Sequence, residues 1–330
     1  MTLNRRGTPF LFLYMTKDST SESAGFAPEA SSIPQVTGIA IEDAVLNTVP
    51  FSELGETLPT GVFHEGQRLH SYTLTPFTGD LEVMLEELFQ SKKQGADKVY
   101  STLRQFLPTA IRDIGGIPLN KLDTDPRRLI DRMDLGDVFS MVLGLRCAYH
   151  GNGDIAISGQ CPNCNNKNAD QGDNAQPYHD LGTVDVKCYQ HLPQEALFDI
   201  ELKDGFTVTG ELITKVRMRP LRFYQLKTMG DPNSGKFPNL NMISAMMHSF
   251  PDSTSYKEPK GDFFDKKLYS RLINSPRDKK TIFDAMEKLQ PGPVMQIDMD
   301  CINCSYQWKE GIPWGQLPSF LYGPISPIRS

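Results

Sequence analysis

The sequence predicts an α+β fold in which helical blocks surround a small antiparallel β region that carries two cysteine knuckles. Apolar residues recur at helical spacing up to about residue 150, whereas short alternating runs follow it. Four of the six cysteines form two CxxC pairs, Cys161/Cys164 and Cys301/Cys304. The chain has 330 residues, 39% of them apolar, which is enough for a sizeable core.

Composition and pattern divide the chain into four parts. The segment STSESAGFAPEASSIPQ is rich in Ser, Ala, Glu and Pro and has no apolar period, which indicates an extended segment. The predicted parts are an extended N-terminal arm (1–60), a mainly helical part (61–150), a β-rich part with the first CxxC pair (151–219), and a helical block that ends in the second pair and a C-terminal strand (220–330).

The mainly helical part opens with one strand. The run RLHSYTLTPF, residues 68–77, predicts this strand. Apolar residues at i, i+3, i+4 and i+7 then predict a helix over 80–91, and the same pattern continues in a second helix that stops before Pro108. A third helix is expected to begin near Pro126, and the run MDLGDVFSMVLGLRC predicts a fourth over 133–147.

The β-rich part contains short strands separated by turn signals. A strand is expected directly before Cys161, and GTVDVKC at 182–188 predicts another. Alternation from Phe198, followed by Asp204-Gly205, predicts a hairpin with its turn at that dipeptide. A further strand is expected from Leu212.

The last part is expected to be helical from Pro220 to Gln290. Its methionine stripe, which includes Met242, Met246 and Met247, has helical spacing and is interpreted as core rather than a ligand surface. Ser275-Pro276 suits the start of the last helix, with Ser as the N-cap and Pro in the first turn. The run VMQIDMDC then alternates and predicts a strand that ends at Cys301.

The two CxxC pairs resemble each other in context, since each follows a strand and continues into polar residues. A knuckle of this kind points two thiolates at one centre, and two knuckles complete a tetrahedral four-thiolate shell. We therefore expect a structural Zn²⁺ held by Cys161, Cys164, Cys301 and Cys304, with zinc favoured over iron. Such an ion would join two remote parts of the chain.

A local site is the competing arrangement. Cys188 and His191 form a CxxH, so they could complete a three-thiolate, one-imidazole shell with the first pair, and spacing alone does not exclude this. The run NNKNADQGDN after Cys164 does not predict the helix that a thioredoxin-type redox pair needs. Cys147 lies on an apolar helix and is interpreted as a small buried hydrophobe.

Composition and motifs also limit the class of function. With 34 Lys+Arg against 40 Asp+Glu, the net charge of -6 gives no general reason to bind nucleic acid. The N-terminal apolar run from Pro9 is too short for a membrane span and precedes no small-residue cleavage site, so we expect neither a span nor secretion. The sequence contains no HExxH, GxSxG or GxxxxGK[ST] motif, and a closed four-thiolate shell has no open position for water, so we expect no enzyme activity.

The order of these motifs resembles the baseplate hub subunit family of T4-type contractile-tailed bacteriophages. The resemblance rests on LTPFTGDLEVML, LGDVFSMVLGLRCAYHG, CPNC, YHDLGTVDV and the tail CINCSYQWKEGIPWGQLPSFLYGP, and it covers roughly residues 65 to 325. The chain differs from the family in lacking the glycine that commonly follows the second knuckle cysteine, since Asn165 and Ser305 occupy those positions. Asparagine tolerates positive φ better than serine does.

The resemblance implies a virion structural protein of the tail baseplate, assembled in the host cytoplasm. Its partners would be other tail and baseplate subunits, with homo-oligomeric ring or hub contacts, and the N-terminal arm would order on a neighbouring subunit. Two alternatives remain from other classes. A zinc-ribbon nucleic-acid-binding or regulatory protein is disfavoured because residues 150–186 carry five aspartates and only Lys167. A zinc hydrolase would need an open variant of the local site, with Asp185 or Glu195 as the base.

Overall fold

The protein is described from a computed structural model. The structure describes residues 38–40, 46–90, 92–93, 95–150, 154–157, 160–166, 178–189, 192, 196–208, 210–228, 243, 245–253, 275–312 and 317–322. In this part of the chain the fold combines helices with mainly antiparallel sheets, as the sequence predicts. Two short 3₁₀ segments, Leu181–Thr183 and Phe223–Thr228, connect other elements.

The helices concentrate in the first half of the chain. They are α1 (Phe51–Leu54), α2 (Gly79–Phe89), α3 (Gly95–Ala110), α4 (Leu119–Leu122), α5 (Pro126–Arg132), α6 (Leu135–His150), α7 (Pro276–Leu289) and α8 (Leu317–Tyr322). The helix starts expected near Pro126 and at Ser275 are both confirmed. The side chains of Asp125 and Ser275 cap α5 and α7 by accepting hydrogen bonds from backbone N–H groups.

The strands form several small sheets. They are β1 (Ile39–Ala40), β2 (Leu46–Pro50), β3 (Thr57–His64), β4 (Gln67–Leu74), β5 (Ile111–Ile114), β6 (Ile117–Pro118), β7 (Asp154–Ala156), β8 (Tyr178–Asp180), β9 (Asp185–Tyr189), β10 (Phe198–Val208), β11 (Glu211–Met218), β12 (Met247–Ser249), β13 (Gly292–Pro293), β14 (Gln296–Asp300) and β15 (Gln307–Gly311). The sheet orders are β1-β10-β11-β12, β13-β9-β2, β3-β4-β5-β6, β7-β8 and β14-β15. The pairing of β1 with β10 is parallel, and the other described pairs are antiparallel.

Helix α6 lies at the centre of the core. Every residue from Leu135 to Arg146 is buried, so the helix is enclosed on all its faces and not only on the apolar face that its sequence predicts. Two of its buried polar side chains, Asp137 and Arg146, have partners on other elements. The Asp137 carboxylate accepts hydrogen bonds from the N–H groups of Thr60 (2.7 Å) and Gly61 (3.1 Å) in β3, while Arg146 donates to the carbonyl oxygen of Phe320 in α8 (2.7 Å).

Two glycines let the start of α6 contact the segment that leads to the second knuckle. A Cβ on Gly136 would lie 2.2 Å from the carbonyl oxygen of Pro291, and one on Gly292 would lie 2.4 Å from the Cα of Gly136. Gly292 also has φ of 106°, which disfavours other residues. This contact sets β13 against α6 and so fixes the point from which β14 departs.

Three boundaries differ from the sequence prediction. Helix α3 continues through Pro108 to Ala110, because a proline in the last turn of a helix removes only one hydrogen bond near its end. The expected hairpin turn at Asp204-Gly205 is wrong, since β10 runs on to Val208 with a bulge between Glu201 and Phe206. Met247 lies in strand β12 and not in a helix, although Met246 and Met247 are buried as core residues; Met242 lies outside the described residues.

The boundary of the expected N-terminal arm also differs. Residues 46–50 pair with β9, residues 51–54 form α1, and Ile39–Ala40 pairs with β10, so these described residues belong to the folded body. The arm prediction at residues 1–37 and 41–45 lies outside the described residues. The predicted arm is therefore too long, because the low-complexity composition ends before residue 35 and the residues that form β1, β2 and α1 come after it.

The bulge in β10 is held by the first turn of α7. The Asp278 side chain, 1% exposed, accepts hydrogen bonds from the N–H groups of Lys203 (2.7 Å), Asp204 (3.2 Å) and Gly205 (2.9 Å). These N–H groups lie where the register with β11 shifts, so the carboxylate replaces partners that the ladder does not supply. The Asp204-Gly205 dipeptide thus marks a β-bulge whose N–H groups bind the Asp278 side chain.

We expect Asp278→Asn to lower the free energy of unfolding by about 2 kcal/mol, because the amide nitrogen would face a backbone N–H and leave buried donors without an acceptor. Denaturant unfolding followed by circular dichroism measures this difference. Asp284→Asn is the matched control on the same helix, since its exposed side chain pairs with the exposed Lys280 at 3.9 Å, and it should change stability by less than about 0.5 kcal/mol. Equal effects of the two substitutions would contradict the role assigned to Asp278.

Candidate metal centre

The four cysteines of the two CxxC pairs meet at one point in the fold. The sulfur atoms of Cys161, Cys164, Cys301 and Cys304 all lie within 4.8 Å of one another. The Cys161 and Cys304 Sγ atoms are 3.7 Å apart, and those of Cys164 and Cys301 are 3.5 Å apart. The structure therefore brings together all four residues that the sequence predicts as ligands, although they come from segments 137 to 143 residues apart.

The distances between the sulfur atoms fit tetrahedral coordination of a metal ion better than a disulfide bond. Four sulfurs at about 2.3 Å from a central Zn²⁺ are separated from one another by about 3.8 Å. A disulfide would need about 2.05 Å between its sulfurs. The short contacts of 3.5 and 3.7 Å are close to the first value. The donor set and its spacing thus suit a divalent ion that accepts four thiolates.

Each pair is held by the same backbone turn. In the first pair the N–H of Cys161 donates to the carbonyl oxygen of Asn166 (2.8 Å), and the N–H of Asn165 donates to that of Cys161 (2.9 Å). In the second pair Cys301 donates to Tyr306 (2.8 Å) and Ser305 to Cys301 (2.7 Å). The two turns therefore have matching hydrogen bonds at matching positions.

The residue after each second cysteine has a left-handed backbone. The φ angles are 57° at Asn165 and 55° at Ser305, so both turns form without a glycine at this position. Asparagine adopts this region more readily than serine. Since this conformation disfavours a Cβ, the second turn carries local strain that glycine would remove.

An asparagine in each turn reaches the opposite pair. The Asn163 amide donates to the sulfur of Cys304 (3.5 Å), and the Asn303 amide donates to that of Cys164 (3.7 Å). The two turns are thus related by an approximate twofold arrangement. Sequence reasoning missed these contacts, although the repeated Asn before the second cysteine in CPNC and CINC was the available signal.

Strand pairing places the two turns. The second turn joins β14 to β15, whose register runs from Gln296↔Gly311 to Asp300↔Gln307, directly beside Cys301. The first turn follows β7, which pairs with β8 through Ile155↔His179. The second turn therefore joins two paired strands directly, whereas residues 158–159 and 167–177, on either side of the first turn, lie outside the described residues.

The cysteines differ in burial and in acidity. Cys161 and Cys301 are buried, whereas Cys164 is half-buried and Cys304 is exposed. The N–H of Asn166 lowers the pKa of Cys164 to about 6, and the Asn163 amide lowers the pKa of Cys304, because hydrogen bonds favour the thiolate. Burial raises the pKa of Cys301 to about 11. The two outer sulfurs are therefore the readier thiolates, which is the form that binds metal.

The other cysteines lie elsewhere. Cys188 is in β9, opposite Asn47, and burial raises its pKa to about 11; it is not part of the four-sulfur cluster. His191, the other member of the local alternative, lies outside the described residues, as does Glu195, while the proposed base Asp185 pairs with Pro50 in β2. Cys147 packs half-buried against the core, and burial raises its pKa to about 11, which agrees with its interpretation as a hydrophobe.

The comparisons with known proteins give no relatives. No family model matches this chain, and neither a curated protein nor a solved structure is significantly similar to it. In the part of the chain that the structure describes, none of the helices has the length and apolar character needed to cross a membrane. The function of the chain must therefore be inferred from its own residues.

We expect Cys161→Ser and Cys301→Ser each to lose most of the bound metal, because each removes one of four ligands from a different turn. Elemental analysis of the purified chain measures metal per protein. Cys147→Ser and Cys188→Ser are the matched controls and should retain the full amount, since both residues lie outside the cluster. Loss of metal in Cys188→Ser with retention in Cys301→Ser would instead establish the local site.

Proposed function

We propose that this chain is a non-enzymatic structural component of a phage tail baseplate or hub, and that a four-cysteine Zn²⁺ site holds its fold together. The observation that carries the proposal is the convergence of two matching knuckles on one point. We infer a zinc-ribbon-like site, and two features support it: the β14–β15 pair carries the second CxxC turn, and the first CxxC turn follows β7. Thiolates alone as donors favour zinc, or iron as the next candidate.

A structural role follows from the ligand set. Four protein thiolates fill a tetrahedral shell, so substrate or water would have no position on the ion. The ion would instead close a chain segment of 137 residues between Cys164 and Cys301. Closing a loop of that length lowers the conformational entropy of the unfolded chain, which changes its free energy by an amount on the order of 4 kcal/mol. The site would therefore oppose both local opening and global unfolding.

The baseplate assignment rests on the resemblance in motif order. The resembling segments are those that build the body: LGDVFSMVLGLRC forms most of the buried helix α6, and CPNC and CINC form the two turns. A particle component must keep its shape after assembly, and an ion that joins remote segments serves this purpose. The resemblance and the cross-linked body support the same structural role.

The surface around the second turn suits protein contact better than nucleic acid. Ile302 and Tyr306 are exposed there, at 54% and 44%. The adjoining strands expose Asp298 and Asp300, and Lys309 is 3.6 Å from the Asp298 carboxylate. Phosphate groups would be repelled by these carboxylates, whereas an apolar tip can pack against a neighbouring subunit.

Metal removal should weaken the fold. We expect a chelator to lower the thermal midpoint of the zinc-loaded chain by about 5 °C or more, because the folded state loses a ligand that the unfolded chain binds poorly. Differential scanning calorimetry with and without chelator measures the shift. The matched control is the Cys161→Ser/Cys301→Ser double variant, whose midpoint should start lower and respond little to the chelator. An unchanged midpoint in the metal-free native chain would contradict a stabilising ion.

Assembly can be tested by truncation. Because β1 and β2 pair within the body, we expect deletion of residues 1–37 to leave a zinc-loaded chain that is no longer incorporated into particles. Mass spectrometry of purified particles, complemented with full-length or truncated chain, measures incorporation, and zinc in the purified chains reports folding. Absence of the full-length chain from particles would refute the baseplate role and leave the metal site untouched. Normal incorporation of the truncated chain would refute the role of the arm.

A further inference from the structure

A cleft of about 850 Å³ in the helical region has a strongly basic lining. Helices α3 and α5, together with residues 219–228, form its walls. Its basic side chains are Lys93, Arg104, Arg128, Arg132, Arg219, Arg222 and Lys227, whereas Asp125 and Asp131 are the carboxylates that line it. The chain as a whole carries a net charge of -6, so this concentration of positive charge is a local feature.

Carboxylates pair with three of the arginines and fix the orientation of their guanidinium groups. The Nε of Arg104 donates to both oxygens of Asp131, at 3.0 and 2.8 Å. The Nε of Arg128 donates to an Asp123 oxygen at 3.1 Å, and Arg132 lies 3.7 Å from that same oxygen. The three guanidinium groups thus have Asp123 and Asp131 as ion-pair partners, Asp125 lies near Arg104, and Lys93 is 3.5 Å from the Asp97 carboxylate. A guanidinium has five N–H donors, so each of these groups keeps further donors for a ligand.

The opposite wall adds two more arginines. Arg219 donates to the hydroxyl of Tyr224 at 3.3 Å, and Arg222 lies close enough to Asp134 to affect the pKa of that carboxyl. Burial, and after it the positive charges of Arg219 and other arginines, lower the pKa of His248 to about 4. Arg132, Arg219 and Arg222 also line an adjoining cavity of about 350 Å³ that includes Arg68. The basic lining therefore continues from one cavity into the next.

We propose that this cleft binds a compact polyanion with clustered phosphate groups, either a free polyphosphate chain or a nucleoside polyphosphate. The planar fork of a guanidinium matches two phosphate oxygens, and several forks facing one space suit a ligand with several phosphates. A volume of about 850 Å³ lies in the range of small-molecule sites and suits a compact ligand better than an extended acidic peptide. The cleft shares no residue with the four-cysteine cluster, so the inference is independent of the proposed function.

Calorimetric titration of the full zinc-loaded chain tests the proposal with two probes, tripolyphosphate and magnesium-free ATP, at physiological salt. The variant Arg128→Gln/Arg132→Gln replaces two side chains that are 53% and 59% exposed, and because it removes both ion-pair partners of Asp123, circular dichroism checks that the variant is folded. We expect both ligands to bind, and the double variant to weaken affinity by about tenfold or more. The control Arg112→Gln/Arg277→Gln removes exposed arginines outside the cleft and should stay within about twofold.

The two probes separate the sources of phosphate. Equal affinity would identify the phosphate chain as the ligand, and tighter ATP binding would identify a nucleotide; either result supports the site. Lys227→Gln, on the opposite wall, repeats the test with a second exposed side chain and should weaken affinity several-fold. No binding of either probe at millimolar concentration would overturn the proposal. So would unchanged affinity in both cleft variants, or tighter binding of an oligoglutamate peptide than of tripolyphosphate.

Discussion

The burial of helix α6 from Leu135 to Arg146 is the constraint on which the rest of the structure depends. A helix with every residue from Leu135 to Arg146 buried must be covered on all sides, so other elements have to surround it. Its polar residues make that cover specific, since Asp137 binds two N–H groups of β3 and Arg146 binds a carbonyl group of α8. A buried carboxylate or guanidinium without such partners would be strongly unfavourable, which limits how β3 and α8 can pack.

The same helix connects the two halves of the candidate metal site. Its C-terminal end leads into β7 and then to Cys161, while Gly136 near its start contacts Gly292, from which the chain continues to β14 and Cys301. The four-cysteine cluster is thus an extension of core packing and not an isolated surface motif. Core packing already positions the strands that lead to the cysteines. Binding an ion there would therefore cost less conformational entropy of the chain than binding that had to bring these strands together.

The two charged regions of the molecule have different character. The turns around the cysteines expose carboxylates and two apolar side chains, which suits contact with protein. The helical cleft instead gathers arginines from α3, α5 and the segment after β11. Since the net charge of the chain is negative, an anionic ligand would be drawn to the cleft and not to the surface in general. The surface near the cysteine turns would thus contact protein, and the cleft would bind an anion separately.

The sequence by itself determined the features that depend on neighbouring residues. Helix periodicity predicts α2 and α6, Pro126 and Ser275 mark two helix starts, and the paired CxxC motifs predict the four cysteines that cluster, because each of these signals is local. The tertiary structure decided what depends on remote groups. The bulge at 202–205 exists because Asp278 satisfies its N–H groups, Met247 joins a sheet because β11 offers an edge, and the arginine cleft forms only when separate elements meet. Hydrogen-bond partners and charges from distant segments leave no pattern in the local sequence, so only the folded chain reveals them.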